Sequence, residues 1–326
     1  MSSPHGDLRL LGGTANPELS RRIATEINIP LTPCTVSRFN DGEIDVKIAD
    51  SVRGHDVFLV QPTCHPVSEN LIELFIILDA LRRGSAARIN AVIPYYGYAR
   101  KEKKTQPRDP ISAKLFATII ERTGADRVIT VDLHAEAIQG FFEIPVDALT
   151  AAKILARHVR ERHGQNVVVV SPDVGGTARA RQLARHLDDA PIAIIDKRRP
   201  RDDSVEVLNV IGEVRGRRCV IIDDLISTGS TLAGAAGALR DKGAVSVDVV
   251  ATHGVLSDGA FELLNTAPID EICITDTIPL RDVPPLHDGQ RSFDDHGKLR
   301  VLTVAPLIAE AIVRVHEGRS VSELFR

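Results

Sequence analysis

VIIDDLISTGST, residues 220–231, decides how this chain is read. Val220, Ile221 and Ile222 are the β-branched apolar residues that fill buried strands. They run into two adjacent carboxylates, Asp223 and Asp224, and then into a Ser/Thr/Gly run with no lysine. In open parallel sheets, ligands collect beyond the carboxyl ends of strands. Ser227, Thr228, Gly229, Ser230 and Thr231 are then expected to form a tight loop opening a helix that carries Leu232 and Leu239. Backbone N–H groups, hydroxyls and the helix dipole favour a phosphate monoester there. Asp223 and Asp224, acceptors only when ionised, suit sugar hydroxyls. The stretch therefore reads as a seat for a phosphorylated sugar, with an ordinary strand-to-helix turn as the alternative. It is not a nucleotide P-loop, because no GxxxxGK[ST] occurs in the chain.

Outward from this stretch, strand-like and helix-like segments alternate. Asn16-Pro17 opens a helix with Leu19, Ile23 and Ile27 on one face. Residues 43–48 alternate as a half-buried strand, and 56–60, 89–94 and 127–131 read as further strands. Residues 68–82 read as a helix apolar nearly all round, which implies burial at a domain or subunit contact. Asp109-Pro110 is expected to cap a helix ending near Gly124, and Thr150 one ending at Gly164. Strands are expected at 167–170, 192–195, 219–222, 245–250 and 271–274, and a helix after Asp173 to about His186. Runs such as VVVV suit a parallel sheet covered on both faces. The alternation defines an α/β class, with a boundary near residue 150. Residues 281–298, rich in Pro, Asp and His, read as an exposed loop, and 306–317 as a closing helix stopped by Gly318.

The chain has 326 residues, room for two ordinary domains, with 43% hydrophobic and 26% charged residues. A net charge of −4 argues against general nucleic-acid binding. The cysteines Cys34, Cys64, Cys219 and Cys273 form no CxxC pair, so no zinc or redox motif is suggested. Met1 is followed by polar residues and no apolar run reaches membrane-spanning length. A reducing cytoplasm is the expected compartment, with no membrane partner.

Several polar clusters remain. Lys197, Arg198, Arg199 and Arg201 follow a strand; they are either a solvated turn or a clamp on a polyphosphate. Residues 100–104, Arg-Lys-Glu-Lys-Lys, read first as a mobile charged loop. His134 and Asp173 each follow a strand, a pairing that favours Mg²⁺ partly through water over a structural histidine. Phe39, Asp41, Gly42 and Glu43 read as a polar turn before a strand.

The stretch 220–231 resembles the phosphoribosyl-diphosphate loop of type I phosphoribosyltransferases. SRFNDGE at 37–43, VIPYYGYAR at 92–100, RDPISAKLFA at 108–117, DLHAEAIQGFFEIPVD at 132–147, VVSPDVGG at 169–176, APIAIIDKRRPR at 190–201 and SVSELF at 320–325 narrow the likeness to the ribose-phosphate pyrophosphokinase family. The resemblance covers nearly the whole chain. It implies two tandem phosphoribosyltransferase-like domains, each a mostly parallel sheet flanked by helices: 1–150 and 151–305, with a helix and tail at 306–326 packing on the first. It implies diphosphoryl transfer from MgATP to the anomeric hydroxyl of ribose 5-phosphate, releasing AMP, to supply nucleotide and His/Trp biosynthesis. By resemblance, Lys197 is the main catalytic cation and Arg199 assists it. Arg199, Asp223, Asp224 and 227–231 bind ribose 5-phosphate. Phe39, Asp41, Gly42, Glu43, Arg100 and Lys101 bind ATP, the hairpin residues from a neighbouring subunit, and Lys103 and Lys104 reach the triphosphate. His134 and Asp173 bind Mg²⁺, with Asp132 in support. Ser51, Arg53, Gln139, Asp147, Ser320, Ser322 and Phe325 match positions for phosphate and ADP as effectors, and the implied assembly is a homohexamer made of dimers. Three features depart from the family pattern: Lys101 stands where Gln is usual, Ser227 where Asp is common, and the loop at 281–298 is longer.

A phosphoribosyltransferase is the second reading, disfavoured because it needs one domain and has no use for SRFNDGE or KRRPR. A silent regulatory partner is the third, disfavoured because Lys197, Arg199, His134 and the Asp pair are all present.

Overall fold

The computed structural model describes residues 5–198, 207–280 and 298–325. Elements in chain order are β1 (Leu8–Gly12), α1 (Pro17–Ile27), β2 (Cys34–Arg38), β3 (Ile44–Ile48), β4 (Asp56–Val60), α2 (Val67–Arg83), β5 (Arg88–Ile93), α3 (Ser112–Thr123), β6 (Arg127–Val131) and β7 (Val146–Leu149). They continue with α4 (Ala152–His163), β8 (Val167–Ser171), α5 (Thr177–Arg185), β9 (Ile192–Arg198), β10 (Val207–Ile211), β11 (Arg218–Ile226), α6 (Ser230–Asp241), β12 (Ser246–Gly254), α7 (Ala260–Thr266), β13 (Glu271–Thr275), β14 (Leu299–Leu302) and α8 (Ala305–His316). Two short 3₁₀ turns lie at Glu136–Phe141 and Ser322–Phe325.

The chain divides into two compact units. The first contains Met1–Thr150, Thr277–Pro279 and Thr303–Arg326; the second contains Ala151–Asp276 and Leu280–Leu302. The closing helix α8 and the tail after it therefore belong to the first unit.

In the first unit a five-stranded sheet runs β1-β4-β5-β6-β7, with every pair parallel. Parallel strands buried on both faces need apolar residues at successive positions, and DVFLV of β4 is buried throughout. Val57, Leu59, Ile89 and Ala91 face Leu74, Ile77 and Leu78 of α2 and Ala113, Ala117 and Ile120 of α3. The alternate residues Asp56, Phe58 and Val60 point to the opposite face, and there His316 of α8 reaches Asp56. Helices α1 and α8 pack against each other. The alternating strand expected at 43–48 is β3, which pairs only with β2 as an antiparallel hairpin. Helix α2 buries Leu71, Leu74, Ile77, Leu78 and Leu81, whereas Ile72 is exposed.

In the second unit a seven-stranded sheet runs β10-β9-β8-β11-β12-β13-β14. All pairs are parallel except β9 with β10. One face packs on Leu232, Ala235, Ala236 and Leu239 of α6, the other on Leu155, Ala156 and Val159 of α4 and Ala180, Leu183 and Ala184 of α5. The strand order reverses between β8 and β11. From β8 the chain adds β9 on one side; from β11 it adds β12 on the other. This is the switch point at which a doubly wound sheet opens a crevice at its carboxyl edge.

Three local expectations are corrected. Asp109 does not cap α3: the cap residue is Ile111 and no side chain bonds there. The carboxylate is already taken by Thr105 and Gln106 N–H groups and by the Thr105 hydroxyl, so local turn bonds win over capping. Thr150 does not cap α4, whose cap residue is Ala151. Asp223 and Asp224 do not follow a strand ending at Ile222, because β11 continues to Ile226. The reason is β12, which pairs with β11 as far as Ile226↔Gly254, while the ladder to β8 stops at Ile221↔Val170. The two carboxylates thus stand where β11 has outgrown β8 and its flank towards β8 is open.

Candidate active site

The second unit builds its candidate site from the turns after β8 and β11. After Ser171 the chain turns at Pro172-Asp173. The Ser171 hydroxyl donates to the Asp173 carbonyl at 2.6 Å, and the Gly176 N–H donates to Asp173 Oδ1 at 2.8 Å. A side chain on Gly176 would meet Ser171 Oγ at 2.8 Å, so this position needs glycine to bring the start of α5 down on the strand end. Asp173 is left exposed at the carboxyl edge.

On the other side of the switch point, Asp224 is buried and Asp223 half-buried. The Asp224 N–H donates to Asp223 Oδ1 at 2.9 Å. Arg179, from the first turn of α5, places Nη1 3.4 Å from Asp223 Oδ1 and 3.2 Å from Asp224 Oδ1. Burial is the main cause that pushes the Asp223 carboxyl up, to about 7; the adjacent Asp224 adds to it and Arg179 opposes it. A carboxyl displaced this far by burial and a neighbouring carboxylate marks a candidate functional site.

The loop from Ser227 to Ser230 follows. Gly229 has φ 77°, and a Cβ there would lie 2.7 Å from Leu264 Cγ of α7. Glycine is required for the left-handed turn and for the close approach of the loop to α7. Thr228 Oγ1 and Ser230 Oγ lie 3.1 Å apart and are exposed at the start of α6. The Ser227 carbonyl accepts from Ser257 N–H at 3.1 Å, and the Gly229 carbonyl from Ala233 N–H at 2.9 Å. Thr231 is the second residue of α6. Together these give a helix N-terminus, two exposed hydroxyls and a carboxylate pair, an arrangement for a monoanion with hydroxyls attached.

Lys197 is the penultimate residue of β9, with its backbone opposite Leu208 of β10. β8 pairs with β9 only over Ile192–Ile194, so the β9–β10 ribbon continues past the sheet at its carboxyl edge. Arg199 and Arg201 lie outside the described residues, as do 281–297 of the expected long loop.

In the first unit, Phe39, Asp41, Gly42 and Glu43 form the tip of the β2–β3 hairpin. The turn closes through Gly42 N–H to the Phe39 carbonyl and Phe39 N–H to the Glu43 carbonyl, both at 2.9 Å, with Gly42 at φ 95°. Asp41 Oδ1 accepts from Glu43 N–H at 3.2 Å. Phe39 is 56% exposed, an unusual placement for a phenyl ring. Arg100 and Lys101 follow β5. Lys101 pairs with Asp109 at 3.2 Å, and Lys103 with Glu102 at 3.1 Å. Hydrogen bonding from Thr105, with Lys101 next, holds Asp109 down at about 2. Within this basic segment Lys101 and the Thr105–Gln106 turn gather on Asp109, and Tyr98 stacks on Phe116 at 4.5 Å. His134 is exposed three residues after β6, beyond Asp132, which adopts φ 39°.

The expected effector residues fall into two groups. Ser51 and Arg53 line a cavity of about 320 Å³ with Ile48, Asp50, Ala80 and Gly84. Asp147, on β7, is paired with Arg127 at 2.5 Å. Ser320 and Ser322 share a 3.1 Å hydrogen bond beside Arg314, and their 3₁₀ turn, which Phe325 ends, packs on β7. Gln139 lies exposed in the other 3₁₀ turn. The cavity lining includes none of the second group. Sequence reasoning missed Arg179. Its only signal was a cation three residues into the helix after the Asp173 turn, and its partners lie 44 and 45 positions on.

The fold and these strand-end turns define a doubly wound α/β protein with its candidate site at the carboxyl edge of a parallel sheet. Residues 8–124 match the model of the N-terminal domain of ribose phosphate pyrophosphokinase, and 188–326 that of the phosphoribosyl synthetase-associated domain. A ribose-phosphate pyrophosphokinase of Caldanaerobacter subterraneus is 52% identical over 98% of both chains; one of Hyphomonas neptunium is 50% identical over 98% of this chain and 99% of its own. The crystal structure of phosphoribosylpyrophosphate synthetase from Mycobacterium smegmatis superposes with a TM-score of 0.87 at 42% identity, over 96% of this chain and 99% of that one. The chain belongs to the ribose-phosphate pyrophosphokinase family.

Proposed function

We propose that this protein is a ribose-phosphate diphosphokinase. It transfers the terminal diphosphoryl group of ATP to the anomeric hydroxyl of ribose 5-phosphate, giving 5-phosphoribosyl 1-diphosphate and AMP for nucleotide, NAD, histidine and tryptophan synthesis. The observation that carries this reading is the carboxylate pair Asp223–Asp224 directly ahead of the Gly229 helix start, at the switch point of a chain related to such enzymes along its whole length.

In this reading the N–H groups and hydroxyls of 227–231 hold the 5-phosphate, and Asp223 and Asp224 accept from the ring hydroxyls. The anomeric hydroxyl is thereby turned towards the transferred group. Lys197 and Arg199 stabilise charge on the diphosphoryl oxygens as the bond to AMP breaks. Phe39 stacks on adenine while Asp41, Gly42 and Glu43 read its edge, and Arg100 and Lys101 contact the nucleotide. The exposed ring of Phe39 supports a hairpin that serves a neighbouring copy, in a homo-oligomer that we take to be a hexamer.

Among the described residues no group of three or more His, Cys, Asp or Glu side chains could hold a metal. One exposed carboxylate, Asp173, suits an ion that arrives on phosphate oxygens and keeps its water, which is how Mg²⁺ binds; His134 is proposed as a further donor on family resemblance. Bound there, Mg²⁺ would neutralise charge on the triphosphate. Phosphate and ADP are the proposed effectors, at Ser51, Arg53, Gln139, Asp147, Ser320, Ser322 and Phe325. Among the described residues no helix is long and apolar enough to cross a membrane. Its four free thiols suit a cytoplasmic enzyme.

The test is purified protein with Mg²⁺, ATP and ribose 5-phosphate, monitored for AMP. Formation of AMP that depends on the sugar is expected. Activity only with phosphoribosyl diphosphate and a base would overturn the reading.

A further inference from the structure

Two carboxylates on adjacent residues of one strand repel, and one of them here is buried. Among the described residues, few groups face Asp223. On its own strand there is Asp224; from α5 there is Arg179. β12 places Ala251 opposite Asp223 and the buried His253 opposite Leu225. β8 pairs with β11 only through the uncharged Val167–Val170, and Asp173 stands exposed in the turn beyond it. Among the described residues Arg179 is therefore the cation set against both members of the pair, and it reaches them through a single nitrogen.

We propose that Arg179 is a positioning residue for ribose 5-phosphate: its guanidinium keeps Asp223 and Asp224 side by side as two acceptors, ready for the sugar hydroxyls. This rests on the functional reading above. The geometry also explains why the cation comes from α5. The turn that presents Asp173 is closed by Gly176, and Arg179 lies one helical turn further on. One short segment thus fixes both the proposed metal carboxylate and the cation that serves the sugar carboxylates. Without Arg179, burial and mutual repulsion both favour a proton on Asp223. A protonated carboxyl loses an acceptor and gains a donor, the wrong polarity for a second hydroxyl donor.

The test compares Arg179→Gln, Arg179→Lys and the parent, measuring AMP formation across pH 5.5–9 with ribose 5-phosphate varied at saturating MgATP. Gln removes the charge; Lys keeps it. With Arg179→Gln, KM for ribose 5-phosphate is expected to rise about tenfold at neutral pH, with kcat changed far less. The acid limb of kcat/KM is expected to move up by about one pH unit. The substrate phosphate also titrates in this range, but identically in every variant, so the displacement between variants belongs to the protein. Arg179→Lys is expected to restore most of the parent profile, which a purely structural role for the guanidinium would not produce. Thermal unfolding of each variant shows whether it is folded, and isothermal titration with ribose 5-phosphate alone gives a second readout independent of turnover. A folded Arg179→Gln variant with the parent's KM and acid limb would overturn the proposal. If the parent itself makes no AMP, the functional reading fails instead, and the two failures are distinct.

Discussion

Asp56 and His316, 260 positions apart, meet at 2.8 Å through Oδ2 and Nδ1. Asp56 opens β4 and is fully buried; His316 is the last residue of α8. Arg88 adds two hydrogen bonds to the same carboxylate and a third to the Val315 carbonyl, and Asn90 donates at 2.8 Å. The cluster ties the end of the chain to the sheet of the first unit, and Arg88 also meets the negative end of the α8 dipole.

Burial by itself would push Asp56 up, but hydrogen bonds from Arg88 and His316 outweigh it and hold the carboxyl below its ordinary value of 3.8. A carboxylate depressed in the folded state contributes stability above about pH 4 and loses it as pH falls through the folded value. His316→Ala is therefore expected to cost about 1–3 kcal/mol at pH 7, with the difference from the parent shrinking below pH 4. The chain has three tyrosines and no tryptophan, and Tyr95, Tyr96 and Tyr98 all lie in the first unit. Tyrosine fluorescence during denaturant unfolding thus reads this unit selectively. A variant as stable as the parent at pH 7 would show that Arg88 alone holds the helix.

How much of this was legible in the sequence depended on the range of the interaction. The strands at 56–60 and 127–131 could be read to the residue, because parallel burial demands continuous apolar runs. The turn from β11 into α6 was legible because Gly229, its hydroxyl neighbours and the two carboxylates are contiguous. β1 escaped notice: Arg9 interrupts a short LRLL run whose Leu10 and Leu11 are nonetheless fully buried. The cap assigned to Asp109 failed because a capping side chain is recognised by type, while nearer turn N–H groups compete for it; at Thr150 the helix begins one residue later, with Ala151 as its cap residue. Arg179 and the Asp56–His316 tie could not be read at all, since each joins elements that only the folded sheet brings together.

Gly229 offers a steric test of the loop. Alanine there must adopt φ near 77° and place Cβ 2.7 Å from Leu264 Cγ. The left-handed conformation costs about 1–2 kcal/mol and the overlap about 1–3 kcal/mol more. Gly229→Ala is expected to destabilise the second unit by their sum and to abolish sugar-phosphate binding. In a Leu264→Ala background the overlap disappears, so the added cost of Gly229→Ala should fall to about 1–2 kcal/mol. Denaturant melts of the four proteins in this cycle give the coupling. Strict additivity would mean that the loop, and not Leu264, absorbs the clash.

Asp223 exchanges stability for binding. Raised to about 7 chiefly by burial, it retains its proton in the folded protein where the unfolded chain, near 3.8, has released it. Stability accordingly falls as pH rises between about 4 and 7 and stays lower above that window. Asp223→Asn removes the charge and keeps the shape. The variant is expected to be about 1–2 kcal/mol more stable than the parent at pH 8, a discounted share of about 1.4 kcal/mol per pKa unit because Arg179 already offsets part of the charge. At pH 4 the two should be nearly equal. Ribose 5-phosphate affinity should fall at least about tenfold at both neutral and alkaline pH. Equal stability at pH 8 would show that the guanidinium neutralises the pair completely.

Lys197 tests the transfer step itself. Its backbone sits at the end of β9, where the β9–β10 ribbon runs past the sheet on the same carboxyl edge as the turns after β8 and β11. Diphosphoryl transfer asks little covalent help of a protein; it asks for in-line positioning and for charge to meet the oxygens as they separate from AMP. A cation that acts only at that moment contributes to turnover and not to ground-state binding. Lys197→Ala is therefore expected to lower kcat for AMP formation at least about 100-fold, while the affinity for ribose 5-phosphate, held by 223–231, changes little. Lys197→Arg should recover only part of the loss, because a planar fork does not reproduce a compact ammonium. A purified, folded Lys197→Ala protein that makes AMP near the parent rate would move the catalytic charge elsewhere, with Arg199 the first candidate to substitute. A variant that instead loses sugar affinity with kcat intact would make Lys197 a ground-state binding residue.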